Sequence, residues 1–322
     1  MKNWYVSVNY GLEKIVGDIV KTYGAHNIKV LDSALTFSCA HEIDIKCINN
    51  LFVILSAFHC ENITEAAKKI SGLTFSFPHQ NGKTFRVIVM DCGKLRAVPQ
   101  NIMVEVEKNI SRQTKLEVHR ANPDIEMWIN RRSDGATFFM IRVKKHSPFD
   151  KKLKQGELRP DVVGVMLHMA RINNKSIIVD MFGGWGAIAA ALEDGQYHKI
   201  FTGDINDECV KYQKTRLKNK RNCAVQKWNA HSLPLDDNSV DSVVTDPPWG
   251  EYEKINASQF YDDFIAEAAR ILRPKGTLIF LSSMQKEASG AMEKYGFSYE
   301  QIPLKINGKN TILFCAERAD IV

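Results

Sequence analysis

The sequence predicts an α/β protein whose second half is a parallel sheet with helices on both faces, preceded by a smaller α+β module. Three observations carry this. From about residue 176 apolar strands alternate with amphipathic helices, as parallel strands joined by crossover helices require. A glycine-rich turn, Gly183-Gly184-Trp185-Gly186, follows the first of those strands. The first 145 residues show neither feature, and their strands and helices follow one another irregularly.

The first stretch reads as strand Trp4 to Asn9, helix Glu13 to Tyr23 and strand Ala34 to Cys39. Asp44 to Leu55 and Thr64 to Ile70 have helical spacing. The middle unit begins near Phe75, with a strand Lys83 to Met90 and a helix Pro99 to Ile110 that carries proline near its start. Three further strands are expected at Leu116 to His119, Ile125 to Asn130 and Ala136 to Val143, and Asn122-Pro123-Asp124 turns between two of them. Lys144 to Lys154, basic and containing Pro148, reads as a linker. Beyond it lie a helix Asp161 to Arg171, a buried strand Ser176 to Asp180, the glycine turn and a helix Ala187 to Leu192. Strand Lys199 to Gly203 ends in Asp204, and helix Asp207 to Lys218 leads to a short strand Ala224 to Trp228. The next strand runs into Asp246, followed by helix Phe260 to Leu272, an Arg273–Gly276 turn and strand Thr277 to Leu281. A helix Met284 to Tyr295 and two closing strands, Phe297 to Leu304 and Thr311 to Ala316, complete the half.

In open sheets of this kind ligands bind beyond the carboxyl ends of the strands. Asp180, Asp204, Asn229 and Asp246 all fall there. Glycines are needed where backbone must approach a ligand closely or adopt positive φ. An acid about 20 residues past such glycines is placed to bond ribose hydroxyls, and the amide of Asn229, with Ala230 beside it, suits an adenine edge. A dinucleotide dehydrogenase and an S-adenosylmethionine enzyme both use this frame. The glycines lack the full dinucleotide pattern, and no residues nearby resemble a hydride-transfer site. The methyl-donor reading is therefore the better one.

It is decided by Asp246-Pro247-Pro248-Trp249-Gly250, 66 residues after Asp180. An exocyclic amine on an aromatic ring is a poor nucleophile because its lone pair is shared with the ring. The Asp246 carboxylate and the Pro247 carbonyl can each accept one of its N–H bonds and turn the lone pair outward. Pro247 and Pro248 have fixed φ and no N–H, which stiffens that carbonyl. Trp249 offers a face for a base, a stacking worth ~1–3 kcal/mol.

Composition narrows the setting. The longest apolar run, Leu51 to Phe58, is too short to span a bilayer, so no membrane is expected as partner. Seven scattered cysteines without a Cys-x-x-Cys pair read as reduced thiols of a cytoplasmic protein; no metal site is expected. The net charge of +6 is unevenly spread: residues 81–155 hold 16 Lys/Arg against 8 Asp/Glu, whereas residues 156–322 hold 20 against 22. A basic module beside an amine-methylating half suggests a phosphate-backbone grip. Its candidate contacts are Arg112, Lys115, Arg120, Arg131, Arg132, Arg142, Lys144 and Lys145.

With these residues in place, the chain resembles the THUMP-domain class of tRNA guanine-N2 methyltransferases over nearly its whole length. Phe85 to Arg132, with Asn122-Pro123-Asp124, is similar to the THUMP module, and the residues before it to that module's ferredoxin-like neighbour. Gly156-Glu157-Leu158-Arg159-Pro160 is similar to the family's Gly-x-Leu-x-Pro lead-in. Asp180-Met181-Phe182-Gly183-Gly184-Trp185-Gly186 matches its Asp-Pro-Phe-Cys-Gly-Ser-Gly motif in part, with methionine for proline, glycine for cysteine and tryptophan for serine. The resemblance implies a ferredoxin-like domain over 1–72, a THUMP domain over 73–145, a linker over 146–158 and a Rossmann-like methyltransferase domain over 159–322. It implies S-adenosylmethionine held by Pro160, Asp180, Phe182, Gly184, Gly186, Asp204, Asn229 and Ala230. It also implies a tRNA partner whose acceptor end is gripped by the THUMP module while a guanine amino group meets Asp246, Pro247, Pro248 and Trp249. The competing readings are an adenine-N6 methyltransferase, since Asp-Pro-Pro-Trp suits either amine, and a non-catalytic RNA-binding scaffold.

Overall fold

The structure, a computed structural model, describes residues 1–78, 81–145, 153–249, 256–306 and 308–320, the side chains of Lys144 and Lys145 excepted. Gly250 and most of the expected linker, Pro148 included, lie outside the described residues. In chain order the first half runs β1 (Lys2–Ser7), α1 (Glu13–Thr22), β2 (His26–Leu31), β3 (Ala34–Cys39), β4 (Asn50–His59), α2 (Ile63–Ser71), β5 (Thr84–Asp91), β6 (Lys94–Leu95), α3 (Gln100–Thr114), β7 (Glu117–Val118), β8 (Ile125–Arg131) and β9 (Ala136–Lys145). The second half runs α4 (Pro160–Met169), β10 (Ile177–Asp180), α5 (Ala187–Ala191), β11 (Lys199–Asp204), α6 (Asp207–Arg216), β12 (Cys223–Lys227), β13 (Val240–Thr245), α7 (Ala257–Ile271), β14 (Leu272–Ser282), α8 (Gln285–Lys294), β15 (Phe297–Ile306) and β16 (Lys309–Arg318).

The chain divides into two compact units: Met1–Ser7 with Gly17–Ile43 and Asn49–His146, and Val8–Val16 with Asp44–Ile48 and Ser147–Val322. The division does not fall at residue 72. In the first unit one sheet runs in the order β2-β3-β1-β4-β9-β8-β5-β6, with β7 beside β5. The second half of the expected helix Asp44 to Leu55 is instead the start of β4, which pairs with both β1 and β9, and no helix forms over 44–49. Its run Leu51-Phe52-Val53-Ile54-Leu55 is apolar throughout, so spacing alone does not separate a central strand from a buried helix. The strand β2 was not expected from the sequence either; its residues are mostly exposed and lack an apolar alternation. Beneath β5, β8 and β9, the helices α2 and α3 close a core containing Ala66, Ile70, Phe85, Val106, Ile110, Met127 and Phe139. The expected turn at Asn122-Pro123-Asp124 ties the sheet together: the Asp124 carboxylate accepts the Lys83 and Thr84 N–H groups and the Thr84 hydroxyl at 2.8–3.0 Å.

The second unit carries the predicted α/β sheet, ordered β12-β11-β10-β13-β14-β16-β15. The first five strands are parallel and β16 is antiparallel to both its neighbours. The order reverses between β10 and β13, the kind of switch point at which open α/β sheets leave a crevice beyond the strand ends. The Arg273–Gly276 turn proves to be a bulge inside β14, with register slipping between Val240↔Leu272 and Ser242↔Thr277 and Lys275 at φ 64°. Two segments from the start of the chain belong to this unit. Gly11 lies so close to Pro303 that a Cβ there would stand 2.2 Å from its carbonyl oxygen. Gly164 on α4 likewise meets the Lys46–Cys47 backbone at 3.0 Å.

Candidate active site

Four neighbouring strand ends bring the sequence-predicted acids and amide together. Asp180 closes β10, Asp204 closes β11, Asn229 follows β12 and Asp246 follows β13. Register puts Asp180 level with Thr202 of β11, and Val179 level with Val243 of β13. Thr245, fully buried, is the joint between the two chemical motifs. Its hydroxyl donates to Asp180 Oδ1 at 2.8 Å and accepts the Phe182 N–H at 2.9 Å. Burial pushes the Asp180 carboxyl up to about 7; the Asp204 charge adds to this, while the Thr245 bond opposes it.

The glycine turn is held by three more contacts. Gly183 N–H donates to Gly203 O at 2.7 Å, and Gly184 N–H donates to Asp204 Oδ2 at 2.9 Å. Gln213, fully buried on α6, donates to Gly184 O at 2.9 Å and accepts the Thr202 hydroxyl at 3.0 Å. A Cβ on Gly183 would stand 2.4 Å from Thr202 Oγ1 and 2.7 Å from Gln213 Nε2. Glycine at this position is therefore dictated by packing. Gly184 is the opposite case: φ is 46° and a Cβ would meet nothing within 4 Å. Its backbone borders open space, as close approach of a ligand requires. Gly186, at φ 76°, starts α5.

Trp185, the bulky departure, is held by three contacts of its own. Its indole N–H donates to Gln155 O at 2.9 Å, its ring meets Tyr212 edge-on at 5.4 Å, and the Lys154 ammonium lies 4.3 Å from its centroid. Trp228 is a core residue: it is 5% exposed, and its N–H donates to Met181 O at 2.9 Å. Phe182 packs on Phe260 and Phe264 at 5.6 and 5.3 Å.

At the Asp-Pro-Pro-Trp corner Asp246 keeps part of its surface accessible and Pro247 is buried. The Trp249 indole N–H donates to Asp246 Oδ1 at 3.1 Å. Burial pushes the Asp246 carboxyl up to about 8, the Trp249 bond opposes this, and the Asp180 charge adds to it. A positive charge or an N–H donor brought close to this carboxyl favours its ionised, accepting form.

The stretch that carries these residues matches a family model of methyltransferase domains. Residues 150–308 match that family, described as UPF0020, RMKL-like, methyltransferase domain. The chain is also similar to a protein named probable tRNA (guanine(10)-N2)-dimethyltransferase from Methanothermococcus thermolithotrophicus. That match is 26% identical over 129 residues, 37% of this chain and 76% of the relative. The U6 snRNA (guanine-N(2))-methyltransferase THUMPD2 of Bos taurus is 26% identical over 135 residues, 41% of this chain but only 26% of its own length. Over 99% of this chain and 100% of the other, the fold is that of TrmN from Thermus thermophilus, with a TM-score of 0.79 and 17% identity.

Not every expected residue of the methyltransferase domain joins the crevice by its side chain. Ala230 is buried in the hydrophobic core behind the sheet, so only its backbone is available. Pro160 stands exposed at the first position of α4, and the Arg159 guanidinium beside it pairs with Asp161 at 3.2 Å. Thr245 and Gln213 were not read from the sequence. The only signal for Thr245 was a hydroxyl at the last strand position before Asp-Pro-Pro, and Gln213 lay on a helix face otherwise filled by Val210 and Leu217.

The basic set in the first unit is less available than its charge suggests. Arg131 pairs with Asp91 and Arg142 with Glu126, and their side chains are only 14% and 15% exposed. Arg132 donates to the Tyr5 hydroxyl at 3.1 Å and to Asp32 O at 2.6 Å. Arg120 pairs with Glu107 and Arg112 donates to Asn109, yet Arg120 keeps 66% of its side chain exposed. Lys115, at φ 64°, caps α3 and is exposed; the side chains of Lys144 and Lys145 lie outside the described residues.

Proposed function

We propose that this protein transfers the methyl group of S-adenosylmethionine to the exocyclic N2 amino group of a guanosine in tRNA. The observation that carries it is the Thr245 joint, which locks the acid of an amine-holding corner to the acid beneath an open glycine turn. The names of the two relatives support guanine N2 as the atom and RNA as the substrate class.

In this reading the donor lies along the strand ends. Asp204 retains acceptor capacity for ribose hydroxyls beyond its bonds to Gly184 and Asn206, and the exposed Asn229 amide serves the adenine edge. Phe182, Gly184 and Gly186 form the wall. When bound, the donor supplies an electrophilic methyl on a positively charged sulfur. The chain supplies orientation: Asp246 and the Pro247 carbonyl accept the two amine N–H bonds, Trp249 stacks the base, and Asp246 takes the departing proton. Rate comes from alignment of amine and methyl and from exclusion of water. The target base must leave its stack to reach this corner. The first unit would hold the tRNA, residues 73–145 acting as a THUMP module after a ferredoxin-like segment, 1–72.

Incubating the full chain with unmodified tRNA and methyl-labelled donor, then resolving nucleosides by mass spectrometry, tests the reading. Label in N2-methylguanosine is the expected result. Label in N6-methyladenosine would replace guanine with adenine as the substrate, and failure to bind the donor at all would leave a scaffold.

A further inference from the structure

The arginines expected to grip RNA are largely committed to partners within the first unit, and a further run of cations lies in the second. Residues 209–227 contain seven Lys/Arg and no Asp/Glu, a local run hidden by the acidic balance of the half around it. Three of the seven are occupied: Arg216 with Glu157 and Trp185 O, Lys220 with Leu192 O, and Lys227 with Asp207. Lys211, Lys214, Lys218 and Arg221 are exposed, and among the described residues none of them forms an ion pair.

Helical geometry places Lys211 and Lys214 on one flank of α6, with Lys218 following in the next turn, while Val210, Gln213 and Leu217 are buried. An ordinary solvated face mixes signs, because i to i+4 pairs of opposite charge add stability. Compensation of the helix dipole accounts for Lys214 and Arg216 in the last turn. It does not account for Lys211, Lys218 or Arg221. Seven helical residues span about 10 Å, enough to follow several phosphates that recur at ~3.4 Å of axis per strand. The same helix carries Gln213 on the glycine turn and Tyr212 against Trp185, so this flank is rigidly coupled to the catalytic crevice.

We propose that Lys211, Lys214, Lys218 and Arg221 form an RNA-backbone contact carried by the catalytic unit itself, additional to whatever the first unit holds. The proposal rests on the RNA-methylation reading for its partner, and its test separates the two. Binding of bulk deacylated tRNA to the full chain is measured between 50 and 200 mM salt. The variant Lys211→Gln/Lys214→Gln/Lys218→Gln/Arg221→Gln should lower the slope of log affinity against log salt by about 3, with donor binding by calorimetry unchanged. Single substitutions Lys214→Gln and Lys218→Gln should each lower it by about 1, and Lys214→Arg should leave it as in the wild type. Slopes indistinguishable from wild type in the singles and the quadruple overturn the contact, as does a loss of binding confined to phosphatidylserine vesicles. Wild-type protein that binds tRNA with the expected slope but transfers no methyl would defeat the functional reading while leaving the contact standing.

Discussion

At Asp246 one indole hydrogen already shares the carboxyl that the proposed function assigns to a substrate amine. The Trp249 N–H occupies Oδ1 at 3.1 Å, which leaves Oδ2 to accept from a base entering the corner. The two contributions of the ring are separable by substitution. Trp249→Phe keeps a π face and removes the N–H; because that hydrogen bond holds the Asp246 carboxyl down, its loss shifts the acid limb of the pH–rate profile to higher pH. Trp249→Ala removes the stacking as well and should raise KM for tRNA by about 5- to 150-fold, the equivalent of ~1–3 kcal/mol. Equal KM values for the two variants would take the stacking role from Trp249. The corner could be singled out in the sequence because Asp-Pro-Pro-Trp is contiguous and each residue type suits a distinct task in the proposed reading. The sequence did not reveal Thr245 or Gln213, which act only through partners that the fold brings from 63 and 29 residues away.

Among the elements, α6 and the β10–α5 turn behave as one assembly. Gly183→Ala pushes a methyl against Thr202 and Gln213 in a site with no slack, and overpacking of this kind costs about 1–3 kcal/mol. Gln213→Ala leaves the Gly184 carbonyl and the Thr202 hydroxyl without that partner, a loss of ~1–3 kcal/mol, and should weaken donor binding together with thermal stability. Calorimetry and thermal unfolding on both variants check this; donor affinity unaltered in Gln213→Ala would detach α6 from the donor role proposed for the glycine turn. The parallel strands were legible in the sequence because β10, β11 and β13 are short apolar runs ending in polar residues at fixed places. In the first unit β4 was not, since a strand buried between two others shows no alternation. β2 failed for the reverse reason, being exposed along most of its length.

For the whole molecule, two strand-end carboxyls make stability depend on pH in an uncommon direction. Asp180 and Asp246 are raised to about 7 and about 8, so between the unfolded value near 4 and these values the folded state binds more protons than the unfolded state. Their contribution is therefore full below about pH 4 and is lost as pH rises through 7 to 8. The thermal midpoint should fall between pH 5.5 and 8.5, and Asp246→Asn, which cannot ionise, should flatten that fall. A midpoint that rises over this window would remove both acids from their neutral state. Saturating donor, by placing positive charge beside Asp246, should also flatten it. Charge was readable at this scale only as a total per segment: the sequence showed where Lys and Arg accumulate, but not that Arg131 and Arg142 are consumed by internal acids.

The corner's role is tested most directly by measuring methyl transfer and donor affinity side by side in Asp246→Asn. Asparagine keeps the shape and one acceptor but cannot take the proton. Transfer to tRNA should fall by at least about a hundredfold, the scale of a lost proton acceptor, while the donor dissociation constant stays within about threefold, under ~0.7 kcal/mol. Turnover at the wild-type rate, or loss of donor binding in step with activity, would contradict the assignment of Asp246 as the group that receives the substrate amine.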